Sequence, residues 1–251
     1  MVIKWVCFDL DDTLFNGTLL VDKARRASIQ MMIQYGLPIE EEYALKVLEE
    51  IVFEFGSNSE SHLDNLLIRL QNDPTTRLDP KLNFNKFVAA GVMGYHREKV
   101  KHFKLFKDVT KALEDLHKMG VQTAIITDGS PKKQYEKILR LKLENLVNEI
   151  LISDEVAARK PNTFLFRLFL NNHHLLPKEV IYIGDRIDRD IEPAQKTDII
   201  AVLVHRGTKW DPNLTKEKSL ARPDFHINSL HEIFKIIETL NKSEEITNGS
   251  K

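Results

Sequence analysis

The sequence predicts an α/β protein: a parallel sheet covered by helices on both faces, with an all-helical segment inserted after the first strand. Three observations carry this. An apolar run from Ile3 to Phe8, broken only by Lys4, ends abruptly in the carboxylates Asp9, Asp11 and Asp12. From Leu105 onward, strand-like apolar runs alternate with helix-like segments. Between Leu19 and Lys104 the apolar runs give way to helical periodicity.

The first run reads as a buried strand of a parallel sheet. Its C-terminal end is where open α/β sheets place their ligands. Asp9 and Asp11 share the period-2 direction of an extended chain, so both can face one site. Carboxylates that close repel unless a cation or a shared proton relieves them. Magnesium suits them, because it prefers carboxylate oxygen and keeps several waters. The same residues also read as a strand end and a helix-capping turn, since Asp and Thr are ordinary caps.

The remaining elements follow in order. Ala24, Ala27, Ile29, Met31, Met32 and Tyr35 suit one helix, ended by Gly36-Leu37-Pro38. A second pattern runs from Ile39 to Phe55, broken by Gly56-Ser57-Asn58-Ser59. A third helix starts near Ser61 and carries Leu63, Leu66, Leu67 and Leu70. Asn72-Asp73-Pro74-Thr75-Thr76 is a loop, and a fourth helix covers Asn85 to Lys101. A helix over Val109 to Met119 is stopped by Gly120, and a second strand runs from Val121 to Ile126. Ser130 is an N-cap with Pro131 at the first helical position, opening a helix that ends between Arg140 and Leu143. Strands are expected at Ile150–Ile152, Glu179–Ile183, Ile199–Val204 and Phe225–Ile227. Lys160-Pro161 is expected to open a helix ending near His174, and a last helix covers Leu230 to Leu240. The expected organisation is a discontinuous core of residues 1–15 and 105–240, a helical domain of residues 16–104, and a polar, frayed tail over 241–251.

Composition narrows the function classes. The 251 residues, 42% hydrophobic, suffice for one large domain or two smaller ones. A net charge of -1 gives no nucleic-acid surface. Cys7 is the only cysteine, so no intrachain disulfide forms and a reducing cytoplasm is the expected home. Met1-Val2-Ile3-Lys4 runs straight into the strand, so no signal peptide is expected. No run of 18 apolar residues exists, so no membrane span is expected.

Four groups sit at strand ends or helix starts. Asp9 is a candidate nucleophile, able to attack phosphorus and split one hydrolysis into two steps. Asp11 is a candidate general acid and base. The Thr127 hydroxyl, with the backbone N–H groups of Asp128 and Gly129, can bind phosphate oxygens; taken alone, Thr-Asp-Gly-Ser is a turn. Lys160 can neutralise Asp9 and a transferring phosphoryl group, with Arg159 a weaker competitor. Asp185 and Asp190 follow the fourth strand; read alone they form an acidic loop with Arg186 and Arg189. Asn16, Gly17, His62 and Arg97 are specificity candidates by loop position only. His173 and His174 point about 100° apart on a helix, which argues against a shared metal.

Asp9-x-Asp11-x-Thr13, Thr127, Lys160-Pro161 and Gly184-Asp185-(four residues)-Asp190 occur in the order of the four motifs of the haloacid dehalogenase superfamily, which the chain resembles over all but its tail. The commoner residue at 128 in the second motif is Asn. The resemblance implies a Rossmann-like core with a helical cap that closes over the site and selects the substrate. It also implies that Asp9, the backbone carbonyl of Asp11 and Asp185 ligate Mg²⁺, with Mn²⁺ also suited to oxygen ligands. Asp190 would bind through water or orient Lys160. Dehalogenases of the superfamily lack the second aspartate, so Asp11 argues against that chemistry, and the ion-pumping members need membrane spans. The expectation is a magnesium-dependent phosphatase of a small metabolite, a sugar or triose phosphate, similar to small archaeal phosphatases. The alternatives are a phosphomutase or a non-catalytic binding or regulatory protein. The expected partner is the phosphorylated metabolite, with no nucleic acid or membrane, and the expected state is a monomer or small homo-oligomer.

Overall fold

A computed structural model describes residues 2–56, 59–76, 78–209 and 221–248. Two compact units divide it, one of Met1–Thr18 with Lys104–Lys251, the other Leu19–Phe103.

The first unit is built on six parallel strands: β1 (Trp5–Phe8), β2 (Gln122–Thr127), β3 (Glu149–Ile152), β4 (Val180–Gly184), β5 (Ile200–Val204) and β6 (Phe225–Ile227). Their spatial order is β3-β2-β1-β4-β5-β6. β1 is therefore central, with Phe8 level with Ile125 on one side and Ile183 on the other. This order reverses direction between β1 and β4, and such a switch point leaves a crevice at the strands' C-terminal ends.

Alternation along the strands sends side chains to two faces. Cys7, Ala124, Ile126, Tyr182, Ala201 and Leu203 pack with Phe166 and Phe169 of a helix over Phe164–Asn172. A helix over Val109–Lys118 lies against β2 and buries Val109, Ala112, Leu113 and Leu116.

In chain order the helices are α1 (Gly17–Gln34), α2 (Glu41–Phe55), α3 (His62–Asn72), α4 (Phe84–Lys101), α5 (Val109–Lys118), α6 (Pro131–Arg140), α7 (Phe164–Asn172), α8 (Glu192–Gln195) and α9 (Ile233–Asn248). The second unit, α1 beyond Thr18 through α4, has its own core of Ile29, Met32, Leu48, Ile51, Leu66, Leu70 and Phe87. Among the described residues no helix is long and apolar enough to cross a membrane.

Two expectations need correction. Lys160-Pro161 does not open a helix. A proline disfavours helical geometry in the residue before it, and α7 starts only at Phe164, whose N–H is accepted by Asn162 Oδ1 at 2.9 Å. The segment beyond Asn241 is also not wholly frayed, because α9 continues to Asn248. Lys and Glu, abundant there, are good helix formers.

Arg206 ties the loop after β1 to the rest of its unit. Its guanidinium donates to the Thr13 carbonyl at 3.0 Å, pairs with Asp108 at 2.9 Å and lies over the Phe106 ring. Asp108 also accepts the Leu230 N–H at 2.7 Å.

Candidate active site

Asp9 follows β1, Thr127 ends β2 and Asp185 follows β4, so three adjacent strands deliver their polar ends to one place. Asp9 is still in the ladder, its N–H donating to the Ile183 carbonyl at 2.9 Å. The chain then turns. Leu14 N–H donates to Leu10 O at 3.0 Å, and Asp12 takes φ of 58°. Asp11 itself forms an isolated bridge with Phe15, so the turn is made by the residues between them. Asp12 is buried and caps α1, accepting from Thr18 N–H at 2.9 Å.

Lys160 is the hub. Its ammonium is buried and donates to Asp9 Oδ1 at 2.7 Å, Asp190 Oδ1 at 2.6 Å and the Tyr182 hydroxyl at 2.9 Å. Three donors meet three acceptors, so the group is saturated. Burial opposes its charge, yet Asp190 and Asp9 hold the ammonium above the usual lysine range. Tyr182 donates to the Ile126 carbonyl at 3.0 Å. The Lys160 N–H is accepted by Asp128 Oδ1 at 3.0 Å, and Arg189 donates to the Lys160 carbonyl at 3.0 Å.

Asp190 lies on a wide helical turn (Ile187–Ile191) in which Ile191 N–H reaches back five residues to Arg186 O at 3.2 Å. Its second oxygen accepts the Arg186 N–H at 3.1 Å. A methyl group on Gly184 would overlap Asp190 Cβ and Cγ. Gly184→Ala is therefore expected to cost about 1–3 kcal/mol, the usual range for overpacking, and to reduce activity by moving Asp190 off Lys160. Urea melts and initial rates test this.

Asp9, Asp185 and Asp190 each offer an oxygen within 4.8 Å of the others. One buried ammonium faces three buried carboxylates, so negative charge is in excess. Burial, eased by Lys160 and increased by Asp190, pushes the Asp9 carboxyl up to about 7. Burial, then Asp190 and Asp9, pushes Asp185 well above the carboxylate range. Asp185 Oδ2 is buried with no hydrogen-bond partner among the described residues. An orphaned carboxylate oxygen beside excess negative charge fits a hard divalent cation with oxygen ligands.

Asp11 is more exposed. Its carboxylate pairs with Lys137 Nζ at 2.6 Å and accepts from Gln134 Nε2 at 3.3 Å. Gln134 also donates to Thr127 Oγ1 at 2.8 Å, which links Asp11 to the end of β2. Gly129 N–H, expected to face phosphate, donates to Ser153 Oγ at 2.9 Å. Arg159 pairs with Asp154 and stays out of the Lys160 cluster. His62 Nε2 donates to the Gly56 carbonyl at 2.9 Å, within the helical unit.

Tyr182, Gln134 and Lys137 were absent from the sequence-based set. Their signals are faint: a tyrosine two residues before Gly184 in an apolar strand, and an i,i+3 polar pair in the helix after Thr127.

Residues 6–204 match the haloacid dehalogenase-like hydrolases. The chain is 36% identical over 243 residues to the glyceraldehyde 3-phosphate phosphatase of Methanopyrus kandleri, covering 96% of this chain and 100% of that one. It is 35% identical over 241 residues to the enzyme of that name from Methanocaldococcus jannaschii, covering 96% and 100%. In fold it is similar to the magnesium-bound HAD-hydrolase YfnB of Bacillus subtilis, with a TM-score of 0.66 at 16% identity over 94% of this chain and 99% of that one.

Proposed function

The chain belongs to the haloacid dehalogenase-like hydrolase family and is a phosphatase, and we propose that it hydrolyses a triose or other small sugar phosphate with Mg²⁺, through an aspartyl-phosphate on Asp9. The carrying observation is the buried Lys160–Asp9–Asp190 cluster beside the orphaned oxygen of Asp185. The substrate class rests on the glyceraldehyde 3-phosphate phosphatases that match the chain over nearly its whole length.

In this reading Asp9 is the nucleophile. Lys160 holds its Oδ1, which orients the other oxygen toward phosphorus. As the Asp9–phosphorus bond forms, the bond to the ester oxygen breaks, and that oxygen takes a proton from the Asp11 carboxyl. Asp11 then takes a proton from water while the water oxygen bonds to phosphorus and the Asp9–phosphorus bond breaks. Each transfer is worth about 10²–10⁴-fold when the group is well placed. Thr127 and the Asp128 N–H are the phosphate contacts. Asp190 and Tyr182 position Lys160. Asp9, Asp185 and the Asp11 carbonyl would hold the ion, which when bound neutralises the carboxylates and polarises a phosphoryl oxygen. The helical unit is the cap that selects the substrate, and the single buried cysteine suits a reducing cytoplasm.

The test is phosphate release from triose phosphates, other sugar phosphates, phosphoserine, phosphoglycolate and nucleoside monophosphates, with magnesium and with chelator. Magnesium-dependent release centred on the triose phosphates is expected. No release from any compound by a folded, magnesium-binding protein would overturn the reading.

Stability should report the ion as well. An unfolded aspartate loses its proton near its ordinary value of 3.8, whereas folded Asp9 keeps it to about 7. The ion-free fold therefore binds the extra proton between those values. Its stability is expected to fall as pH rises from about 4 to about 7. Magnesium favours the ionised carboxylates and should flatten that slope, less so in Asp185→Asn. Melting temperatures across this window, with chelator or magnesium, check it; superimposable profiles would contradict it.

A further inference from the structure

We propose that Lys137, supported by Gln134, is the positioning residue for Asp11. It fixes the carboxyl that moves the proton, and it does not bind the substrate phosphate. The proposal rests on the acid–base reading of Asp11 given above.

The geometry around Asp11 is over-determined for an ordinary surface pair. Lys137 Nζ lies 2.9 Å from Oδ1 and 2.6 Å from Oδ2, so one ammonium spans both oxygens. The lysine side chain is 17% exposed, against 35% for Asp11. Lys137 also donates to Gln134 Oε1 at 2.7 Å. Gln134 is buried, and its amide bridges Asp11 Oδ2 and Thr127 Oγ1. The two residues lie one turn apart on α6, so they share a face. Gly17 closes the other side, since a methyl group there would overlap Asp11 Oδ1.

An exposed ion pair contributes about 0–1 kcal/mol, which gives no reason for this convergence on one carboxyl. Proton transfer does give one, because the acid must lie within hydrogen-bond reach of the oxygen it serves. A displacement of about 1 Å can cost about 10²-fold in rate. Asp11 lies beyond the end of β1, in an isolated bridge with Phe15 just before the chain turns, so Lys137, Gln134 and Gly17 are the neighbours that fix its side chain.

The leaving group separates positioning from phosphate binding. The alkoxide of a triose phosphate needs a proton to depart, whereas p-nitrophenolate does not. Lys137→Met is expected to lower kcat on glyceraldehyde 3-phosphate about 10²-fold with KM little changed. On p-nitrophenyl phosphate it should show a rapid burst of nitrophenolate followed by slow turnover, because the second half-reaction still needs Asp11 to activate water. Lys137→Arg should restore part of the rate, and Gln134→Leu should reproduce the burst in milder form. A raised KM at unchanged kcat, or kinetics identical to the parent protein, would overturn the proposal. So would an equal loss on both substrates without a burst. Asp11→Asn, measured beside them, isolates the premise. If it retains full turnover, the acid–base reading fails. If it loses turnover while Lys137→Met does not, only the role given to Lys137 fails.

Discussion

Asp9→Asn is expected to leave a folded protein without measurable turnover, a loss on the scale of about 10⁶-fold seen when a covalent nucleophile is removed. The substitution keeps the shape of the side chain and a carbonyl oxygen for Lys160, and it removes one of three crowded buried carboxylates. Stability should therefore hold or rise while the chemistry disappears. The amide cannot form the acyl-phosphate that splits the reaction in two. Acid-quenched protein mixed with phosphate-labelled substrate should retain label in the parent and none in the variant. Turnover within about tenfold of the parent would mean that the nucleophile lies elsewhere.

Lys160→Met should lose both stability and activity. The ammonium is the buried cation shared by Asp9 and Asp190, and it is bonded to Tyr182 as well. Removing one partner of a buried ion pair costs about 3–5 kcal/mol, because the remaining charges stay unpaired in low dielectric. Rate should fall by about 10²–10³-fold, the usual cost of losing one charge-stabilising donor. Lys160→Arg is not a conservative rescue. Its planar fork cannot converge on three acceptors as a single nitrogen does. Chemical denaturation in chelator checks the first effect, and an unchanged midpoint would show that the cluster does not need this cation.

Much of this site was legible in the chain because its groups sit at the ends of apolar strands. Burial on both faces forces such strands to be continuously apolar, so Asp9 and Asp185 stand out where the apolar runs stop. The element order from β1 to β6 follows for the same reason, with boundaries moved by a residue or two. Lys160 was legible through the motif order, but its setting was not. Its reach to Asp9 and Asp190 depends on a loop, not a helix start, and Asp128 holds its backbone. Tyr182 was hidden because it occupies a regular inward position of β4, and only its hydroxyl distinguishes it from a core aromatic. Gln134 and Lys137 were hidden because a polar pair on a helix is ordinarily a solvated face.

The central place of β1 has a consequence for how the molecule comes into being. Asp9 is made early, but the strand that carries it lies between β2 and β4, whose residues follow by more than a hundred positions. During synthesis β1 therefore has no sheet neighbour until β2 emerges, and its second edge stays open until β4 does. Non-local pairing of this kind is slow and leaves apolar edges exposed meanwhile. The helical unit, with a core of its own, is complete in the chain before either pairing can occur. Asp9, Lys160 and Asp190 thus meet only once β4 and the turn behind it have emerged, so a chain stalled before that point carries Asp9 without its buried partners.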